Sequence, residues 1–478
     1  MNIDELSTII RNATTTESPT VCINSQLCKP GDIFVAINGT KVDGYDFIDK
    51  AIENGAKFIV TEKAFNSAKA QVVIVNDTKV AAAILAQISF DNPSDKLTNL
   101  AVTGTNGKTT VTFMVKSVII SAQKKCGLVG TIINETGNQT SVESNMTTPD
   151  AIAIAKLTAE MVKASAEYMV IEASSHAIDQ RRLAGIKFKA AAFTNLTGDH
   201  LDYHKTMENY LNAKAKLFTE LGQESFAILN AEDLASKKIA AKTTAKKLFY
   251  GIDTDTEISA AIESMDINGT VFTINYNGQS CKVTSDLLGR HNISNHLAAA
   301  GLCIGAGFSL ETIAAGLSKL KRVPGRLEAV NHNGNFAVLI DYAHTDDALK
   351  NVLKTLKPLC KNKLCVVFGC GGDRDKTKRP RMAAIADQFA DKVIVTSDNP
   401  RTEDAEGIIT DIMKGFSSDA MEKTIVQADR KKAIAATIKN ADDGDIILLA
   451  GKGHENYQII GTEKIHFSDA ETAREFLL

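Results

Sequence analysis

One octapeptide, Thr103-Gly104-Thr105-Asn106-Gly107-Lys108-Thr109-Thr110, limits what this chain can fold into more than any other stretch. It follows the apolar run Leu100–Thr103 and precedes a helical pattern reaching about Ala122, so it reads as a loop between a strand and a helix N-terminus. In such a loop glycines let backbone amides close around phosphate oxygens. Lys108 adds positive charge, and the Thr109 hydroxyl can ligate Mg²⁺. The usual pattern carries a further glycine where Val102 stands, which makes this a shortened variant. The loop implies a mostly parallel α/β sheet and a nucleoside triphosphate, and leaves the reaction open.

At 478 residues the chain has room for about three domains. Residues 1–97 combine the short apolar runs Asp32–Ile37, Lys57–Val60 and Gln71–Val75 with turn signals at Pro30-Gly31 and Asn38-Gly39. The polar, proline-broken segment Asp91-Asn92-Pro93-Ser94-Asp95 closes that unit. Residues 98–324 alternate helix-length segments with the runs Leu100–Thr103, Tyr168–Glu172, Ala190–Thr194 and Phe226–Leu229. After Val323-Pro324-Gly325 the alternation resumes over residues 325–478, with Ala337–Ile340, Leu364–Phe368, Lys392–Val395 and Ile446–Ala450. The expected fold class is α/β, as three such units in series.

Charge and patterning exclude several partners. With 54 Lys+Arg against 57 Asp+Glu the net charge is −3, which gives no excess cation for a nucleic-acid backbone. No run approaches the roughly 18 apolar residues of a membrane span, and Asp4 and Glu5 stand where a secretion signal is basic. The eight cysteines are scattered without a Cys-x-x-Cys pair, as expected for reduced, mostly buried thiols in the cytoplasm. The modest charge and the lack of coiled-coil heptads leave a monomer as the expectation.

Polar residues at the ends of two further apolar runs point to chemistry. Glu172-Ala173-Ser174-Ser175-His176 is followed by Gln180 and Arg182, and Asn195–His204 is crowded with carboxylates and imidazoles. Carboxyl ends of strands in α/β sheets face the ligand crevice. A carboxylate there caps a helix as readily as it holds a metal, and such residues also serve turns. Just beyond, Tyr210, Leu211, Ala213, Leu217 and Phe218 surround position 214 at helical spacing, so Lys214 faces inward while Lys216 is solvated. An inward lysine either snorkels its head to water or, held neutral by burial, reacts as an amine that CO₂ converts to a carbamate.

Taken together the residues resemble the Mur ligases over nearly the whole chain. The matching motifs are Gly104–Thr110, Thr147-Thr148-Pro149-Asp150, Glu172–His176 with Gln180 and Arg182, Asn195–His204, and His291-Asn292 with Asn295. Pro324-Gly325-Arg326, Asp341–Thr345, Gly371–Asp375, Asp398-Asn399-Pro400-Arg401 and Gly451–Glu455 follow in order. The resemblance implies an N-terminal UDP-binding domain, a central ATP-binding domain and a C-terminal Rossmann-like domain. It implies ATP-dependent addition of meso-diaminopimelate to UDP-N-acetylmuramoyl-L-alanyl-D-glutamate through an acyl phosphate, in peptidoglycan biosynthesis.

Carried over position by position, Gly104, Thr105, Asn106, Gly107, Lys108, Thr109 and Thr110 hold ATP phosphates, with Asn292 and Asn295 at adenine and Arg326 and Asp341 closing over the nucleotide. Thr109 and Glu172 hold one Mg²⁺, while His200 and Lys214, as N6-carboxylysine, serve a second; Lys108, Glu172, His200 and Lys214 are the catalytic set. Ser25 meets the uridine, and Thr147, Thr148, Ser174, Gln180 and Arg182 line the muramoyl-dipeptide channel. Arg374, Asp398, Asn399, Arg401, Gly451 and Glu455 grip the amino acid. On charge grounds the planar Arg401 fork suits the far carboxylate of diaminopimelate and repels a lysine head group. Two departures stand out: Asn24-Ser25-Gln26 replaces the family's Asp-Ser-Arg in the uridine pocket, and Gly198 sits where bulkier residues are common. The competing readings are the lysine-adding ligase of the same family, a folylpolyglutamate synthetase-like ligase, and an ATP-sensing switch that makes no amide.

Overall fold

The computed structural model describes residues 2–12, 19–39, 42–138, 141–144 and 146–477. Its contacts gather into two compact units, the first holding most of residues 1–316 and the second most of the remainder with parts of 260–295.

In the first unit a small parallel sheet runs in the order Val21–Cys22, Ile33–Val35, Phe58–Thr61, Gln71–Ile74. Helix Thr78–Ser89 packs against it through Ala81, Ala82 and Leu85, and Leu6 and Ile10 of helix Ile3–Asn12 complete that core. Asp77 starts helix Thr78–Ser89 by accepting from the amides of Lys79 and Val80, the usual service of an N-cap carboxylate. The Pro93–Lys96 turn then leads directly into strand Thr98–Thr103.

That strand is central in a larger sheet. Lys246–Ile252, Phe226–Asn230, Phe188–Phe193, Thr98–Thr103, Tyr168–Glu172 and Cys126–Val129 lie side by side and parallel, and Ile133–Glu135 and Ser141–Glu143 continue antiparallel. Strands covered on both faces read as unbroken apolar runs, which is why Leu100–Val102 and Ala190–Phe193 were legible. In a parallel sheet every strand delivers its carboxyl end to the same edge. Thr103, Val129, Glu172 and Phe193 therefore open onto one crevice.

The second unit repeats the arrangement. Its sheet runs Glu328–Ala329, Ala337–Asp341, Ile446–Ala450, Leu364–Phe368, Lys392–Val395, Thr424–Val426, with only the first pair antiparallel. Leu339, Val366 and Leu448 face one helical layer, Ile340, Val367 and Ile447 the other. A fully buried ion pair fastens the edge that matters: Arg430 Nε and Nη2 donate to Asp469 at 2.8 and 2.7 Å, and Nη2 also donates to the Ala450 carbonyl at 2.9 Å. Breaking such a pair from one side costs about 3–5 kcal/mol, so the end of strand Ile446–Ala450 is held firmly. A short antiparallel hairpin, Tyr457–Ile460 with Glu463–His466, follows. Periodicity had given no sign of it. Among the described residues no helix is long and apolar enough to cross a membrane.

Candidate active site

The loop Gly104–Gly107 is shaped by its neighbours before any ligand arrives. Gly104 and Gly107 have φ of +150° and +89°, and a Cβ on Gly104 would lie 1.8 Å from Thr194 Oγ1, so only glycine fits at position 104. Asn195, at the end of the adjacent strand, splints the loop: its carbonyl accepts from the Thr105 amide at 2.9 Å and its Oδ1 from the Asn106 amide at 2.9 Å. The Thr194 hydroxyl donates to the Asn106 carbonyl at 2.6 Å. Lys108 lies back along the loop, its Nζ donating to the carbonyls of Gly104 at 2.9 Å and Thr105 at 2.8 Å. Thr110 is buried in the first turn of helix Lys108–Ser121.

Glu172 ends its strand fully buried, directly beside that helix start. Its Oε2 accepts from Thr109 Oγ1 at 3.0 Å and lies 3.0 Å from Thr131 Oγ1, and its Oε1 accepts from the Thr131 amide at 2.8 Å. Thr147 Oγ1 lies 3.1 Å from that of Thr131. One carboxylate flanked by the hydroxyls of Thr109 and Thr131 is a hard-oxygen donor set that suits Mg²⁺. That ion favours hard oxygens and keeps water and phosphate oxygens as its remaining ligands.

Lys214 faces inward, as its helical position requires, and does not reach solvent: it is 1% exposed. Its Nζ donates to the Gly104 carbonyl at 2.8 Å and lies 4.3 Å from the centre of the Tyr210 ring. Burial, reinforced by the Lys108 charge, pushes its pKa well below the ordinary lysine value. Tyr210 OH in turn lies 3.2 Å from Thr105 Oγ1, linking this helix to the phosphate loop. Lys216 is half-exposed and paired with Asp179 at 2.7 Å. His200 has a left-handed backbone, φ +54°, and its ring lies half-exposed, 4.8 Å from that of His176 and 6.1 Å from Tyr210.

Beside Glu172 a second polar group forms. Thr148 Oγ1 donates to the Glu172 carbonyl at 2.7 Å and accepts from the Ser174 amide at 3.1 Å; Ser174 caps the short helix Ser175–Asp179. Arg182 Nη1 donates to the Thr148 carbonyl at 2.7 Å, and its Nε and Nη2 reach Gln180 Oε1 at 3.1 and 2.6 Å. Thr148, Ser174, Gln180 and Arg182 are thus one connected wall next to the carboxylate. In the small sheet Ser25 is buried in a turn capped by Asn24, whose Oδ1 accepts from the Gln26 amide at 3.0 Å. Packing does not explain Gly198, since a Cβ there would meet nothing within 4 Å.

In the second unit Asn292 and Asn295 are buried and joined, Asn295 Nδ2 donating to Asn292 Oδ1 at 3.0 Å. Asp341 accepts from the amides of Leu327 and Ala343, both at 2.8 Å, and so fixes the turn that presents Arg326 over the Tyr342 ring. Arg401 has φ +53° and donates from Nη1 to the carbonyls of Gly372 at 2.9 Å and Asn399 at 3.4 Å, which leaves its Nε and Nη2 without protein partners among the described residues. Asn399 Nδ2 donates to Glu455 Oε2 at 2.9 Å. A guanidinium and a carboxylate are therefore both tied to Asn399. Gly451, φ +110°, brings the backbone close to Asp398, whose Oδ2 a Cβ would approach to 2.8 Å. Arg374 is exposed and, among the described residues, donates only to the Asp373 carbonyl, at 3.2 Å.

His454 gives a pH prediction. Its buried Nδ1 finds no partner among the described residues, and burial, with the charges of Arg326 and Lys452, pushes its pKa from 6.5 down to about 4. The unfolded chain takes up this proton near pH 6.5 and the folded chain only near 4, so stability is full above 6.5 and declines as pH falls toward 4. Thermal melts between pH 7.5 and 5 are expected to show a falling midpoint, with a shallower slope in His454→Gln. An equal slope in both proteins counts against it.

Sequence reasoning missed Thr131, which supplies two of the partners of Glu172, and gave Asn195 and Tyr210 no role. Position at a strand's carboxyl end was the available signal for Thr131 and Asn195; for Tyr210 it was the four-residue spacing to Lys214.

Three family models match in series: "Mur ligase family, catalytic domain" over residues 19–103, "Mur ligase middle domain" over 102–303 and "Mur ligase, glutamate ligase domain" over 325–453. The chain is 42% identical over 458 residues, 95% of its length and 93% of the relative's, to the UDP-N-acetylmuramoyl-L-alanyl-D-glutamate--2,6-diaminopimelate ligase of Geobacillus kaustophilus. It is 44% identical over 460 residues, 95% of its length and 92% of the relative's, to the protein of that name from Gloeobacter violaceus. A solved structure titled as the same ligase superposes with a TM-score of 0.70 at 33% identity, covering 98% of this chain and 96% of that one. A folylpolyglutamate synthase from Mycobacterium tuberculosis shares the fold at a TM-score of 0.63 and 18% identity, but covers only 78% of this chain, against 92% of its own.

Proposed function

The chain belongs to the Mur ligase family, and on that premise we propose that it joins meso-diaminopimelate to UDP-N-acetylmuramoyl-L-alanyl-D-glutamate at the expense of ATP. It is an ATP-dependent acid–amino-acid ligase of peptidoglycan synthesis with a three-domain α/β architecture. In our reading residues 1–97 take the uridine diphosphate, 98–324 the ATP and 325–478 the amino acid, and the protein acts as a cytoplasmic monomer.

The reaction joins two anions before it joins an amine. The terminal D-glutamate carboxylate attacks the γ-phosphorus of ATP, releasing ADP and leaving an acyl phosphate. The amine then attacks the acyl carbon, loses a proton, and phosphate departs with the C–O bonding pair, leaving an amide. Carboxylate and triphosphate repel each other, so fixed cations must hold them together and absorb charge in the transition state. Lys108 supplies one such charge, and the amides of the loop supply aligned dipoles. Mg²⁺ held by Thr109 and Glu172, with a second ion at His200 and carbamylated Lys214, would supply the rest. Burial lowers the pKa of Lys214 and so favours the neutral amine, the form that reacts with CO₂. Ser25 serves the uridine, and Thr147, Thr148, Ser174, Gln180 and Arg182 orient the dipeptide. Asn292, Asn295, Arg326 and Asp341 serve the nucleotide.

The observation that carries the choice of amino acid is the pairing, through Asn399, of Arg401 with Glu455. The far end of diaminopimelate bears both an ammonium and a carboxylate; the unused donors of Arg401 suit the second and the carboxylate of Glu455 the first. Arg374, Asp398 and Gly451 complete that pocket. A lysine head group offers Arg401 only repulsion. Mixing ATP, Mg²⁺ and the muramoyl dipeptide with a panel of amino acids and weighing the products tests reaction and selectivity together. The diaminopimelate tripeptide is expected to form fastest. Faster tripeptide formation with L-lysine would reverse the choice, and phosphate release with no new peptide mass would favour an ATP-driven switch.

A further inference from the structure

Beneath the proposed amino-acid pocket lies a lysine to which the reaction assigns nothing. Lys452 is 0% exposed, and its side-chain nitrogen lies among polar groups of the pocket. Its Nζ donates to Glu455 Oε2 at 3.1 Å, lies 3.4 Å from Asn399 Oδ1, and sits 5.6 Å from the centre of the Tyr457 ring. A buried ammonium is tolerated only when paired, and here both polar partners belong to the pocket. Asn399 is locked in addition from the hairpin, its Oδ1 accepting from the Ile459 amide at 2.9 Å. The same hairpin strand receives the Arg401 amide on the Ile459 carbonyl at 3.0 Å and returns the Gly461 amide to the Arg401 carbonyl at 2.7 Å.

We propose that Lys452 is a positioning residue for amino-acid recognition: it occupies one oxygen of Glu455 and, with the Tyr457–Ile460 strand, fixes Asn399, so that a single aimed carboxylate oxygen meets the substrate ammonium. Shut off from solvent, Lys452 does not touch the amino acid itself. Without it, Glu455 Oε2 keeps, among the described residues, only the Asn399 amide as a donor, the carboxylate rotates more freely, and its aim toward the ligand is lost. The inference rests on the reading of Glu455 as an amino-acid contact.

The test is steady-state kinetics on the full chain with each substrate varied in turn. Lys452→Met is expected to raise the KM for diaminopimelate about 10- to 100-fold, the range for loss of a supporting partner, while KM for ATP and for the muramoyl dipeptide stay within about twofold. Lys452→Gln, which keeps an N–H donor, is expected to fall between wild type and Lys452→Met, and it serves in place of the methionine variant should that one fail to fold. In a Glu455→Gln background either substitution is expected to add less than about threefold, since the group it supports is already changed. A full additional factor in that background, or equal losses for all three substrates, would overturn the proposal. So would an unmoved amino-acid KM in the lysine variants beside a raised one in Glu455→Gln. If Glu455→Gln itself leaves that KM unchanged, the underlying pocket assignment fails along with it.

Discussion

Lys214→Ala is expected to lower kcat by about three orders of magnitude, the scale on which losing one preorganised stabilising group tells in transition-state catalysis. At 1% exposure, with its amine on the Gly104 carbonyl, Lys214 has no route by which to snorkel, and burial lowers its pKa and so favours the neutral amine that is the nucleophile toward CO₂. Truncation to Ala removes the amine and with it the carbamate, while the helix keeps its apolar face and alanine is a strong helix former. Substrate KM values should therefore move much less than kcat. Acetate or bicarbonate, admitted to the vacated space, is expected to restore part of the rate by replacing the carboxylate. Full activity in Lys214→Ala would remove the carbamate from the mechanism.

Arg401→Met is expected to lower kcat/KM for diaminopimelate by about 10²- to 10³-fold, since truncating one partner of a desolvated charge pair costs 2–5 kcal/mol and each 1.4 kcal/mol is tenfold. Use of L-lysine, which offers no carboxylate to this guanidinium, should change little or improve, so the ratio of the two specificities moves by most of that factor. The left-handed backbone at Arg401, φ +53°, sets a control. Arg401→Gly, which relaxes the backbone, separates strain from charge: it should lose diaminopimelate as fully as the methionine variant while melting no lower. Equal losses for both amino acids in Arg401→Met would mean that the residue shapes the pocket without reading the carboxylate.

Much of this was written in the chain's local order. Strands Tyr168–Glu172, Leu364–Phe368, Lys392–Val395 and Ile446–Ala450 have the bounds their apolar runs imply, because buried parallel strands admit no polar residue inside and end sharply where the crevice begins. The inward aim of Lys214 followed from helical spacing alone. What stayed hidden depends on contacts across long separations. Thr131 meets Glu172 only because strands Cys126–Val129 and Tyr168–Glu172 are neighbours, and strand order is not periodic information. The hairpin Tyr457–His466 is half polar and short, and its role in bracing Asp398–Arg401 rests on pairings such as the Gln458 side chain with the Asp398 carbonyl at 2.5 Å. The sharing of Asn399 between Arg401 and Glu455 has no local signature either.

Lys108 spends its donors on the carbonyls of Gly104 and Thr105, so the loop's own backbone stands in for the anion that the loop is built to hold. Capture of a triphosphate is then a swap of partners and not the filling of a naked electropositive hole. A swap leaves only the difference between two well-bonded states as net affinity, which lets spent nucleotide depart without a large barrier and spares the empty enzyme from scavenging every stray polyanion in its surroundings.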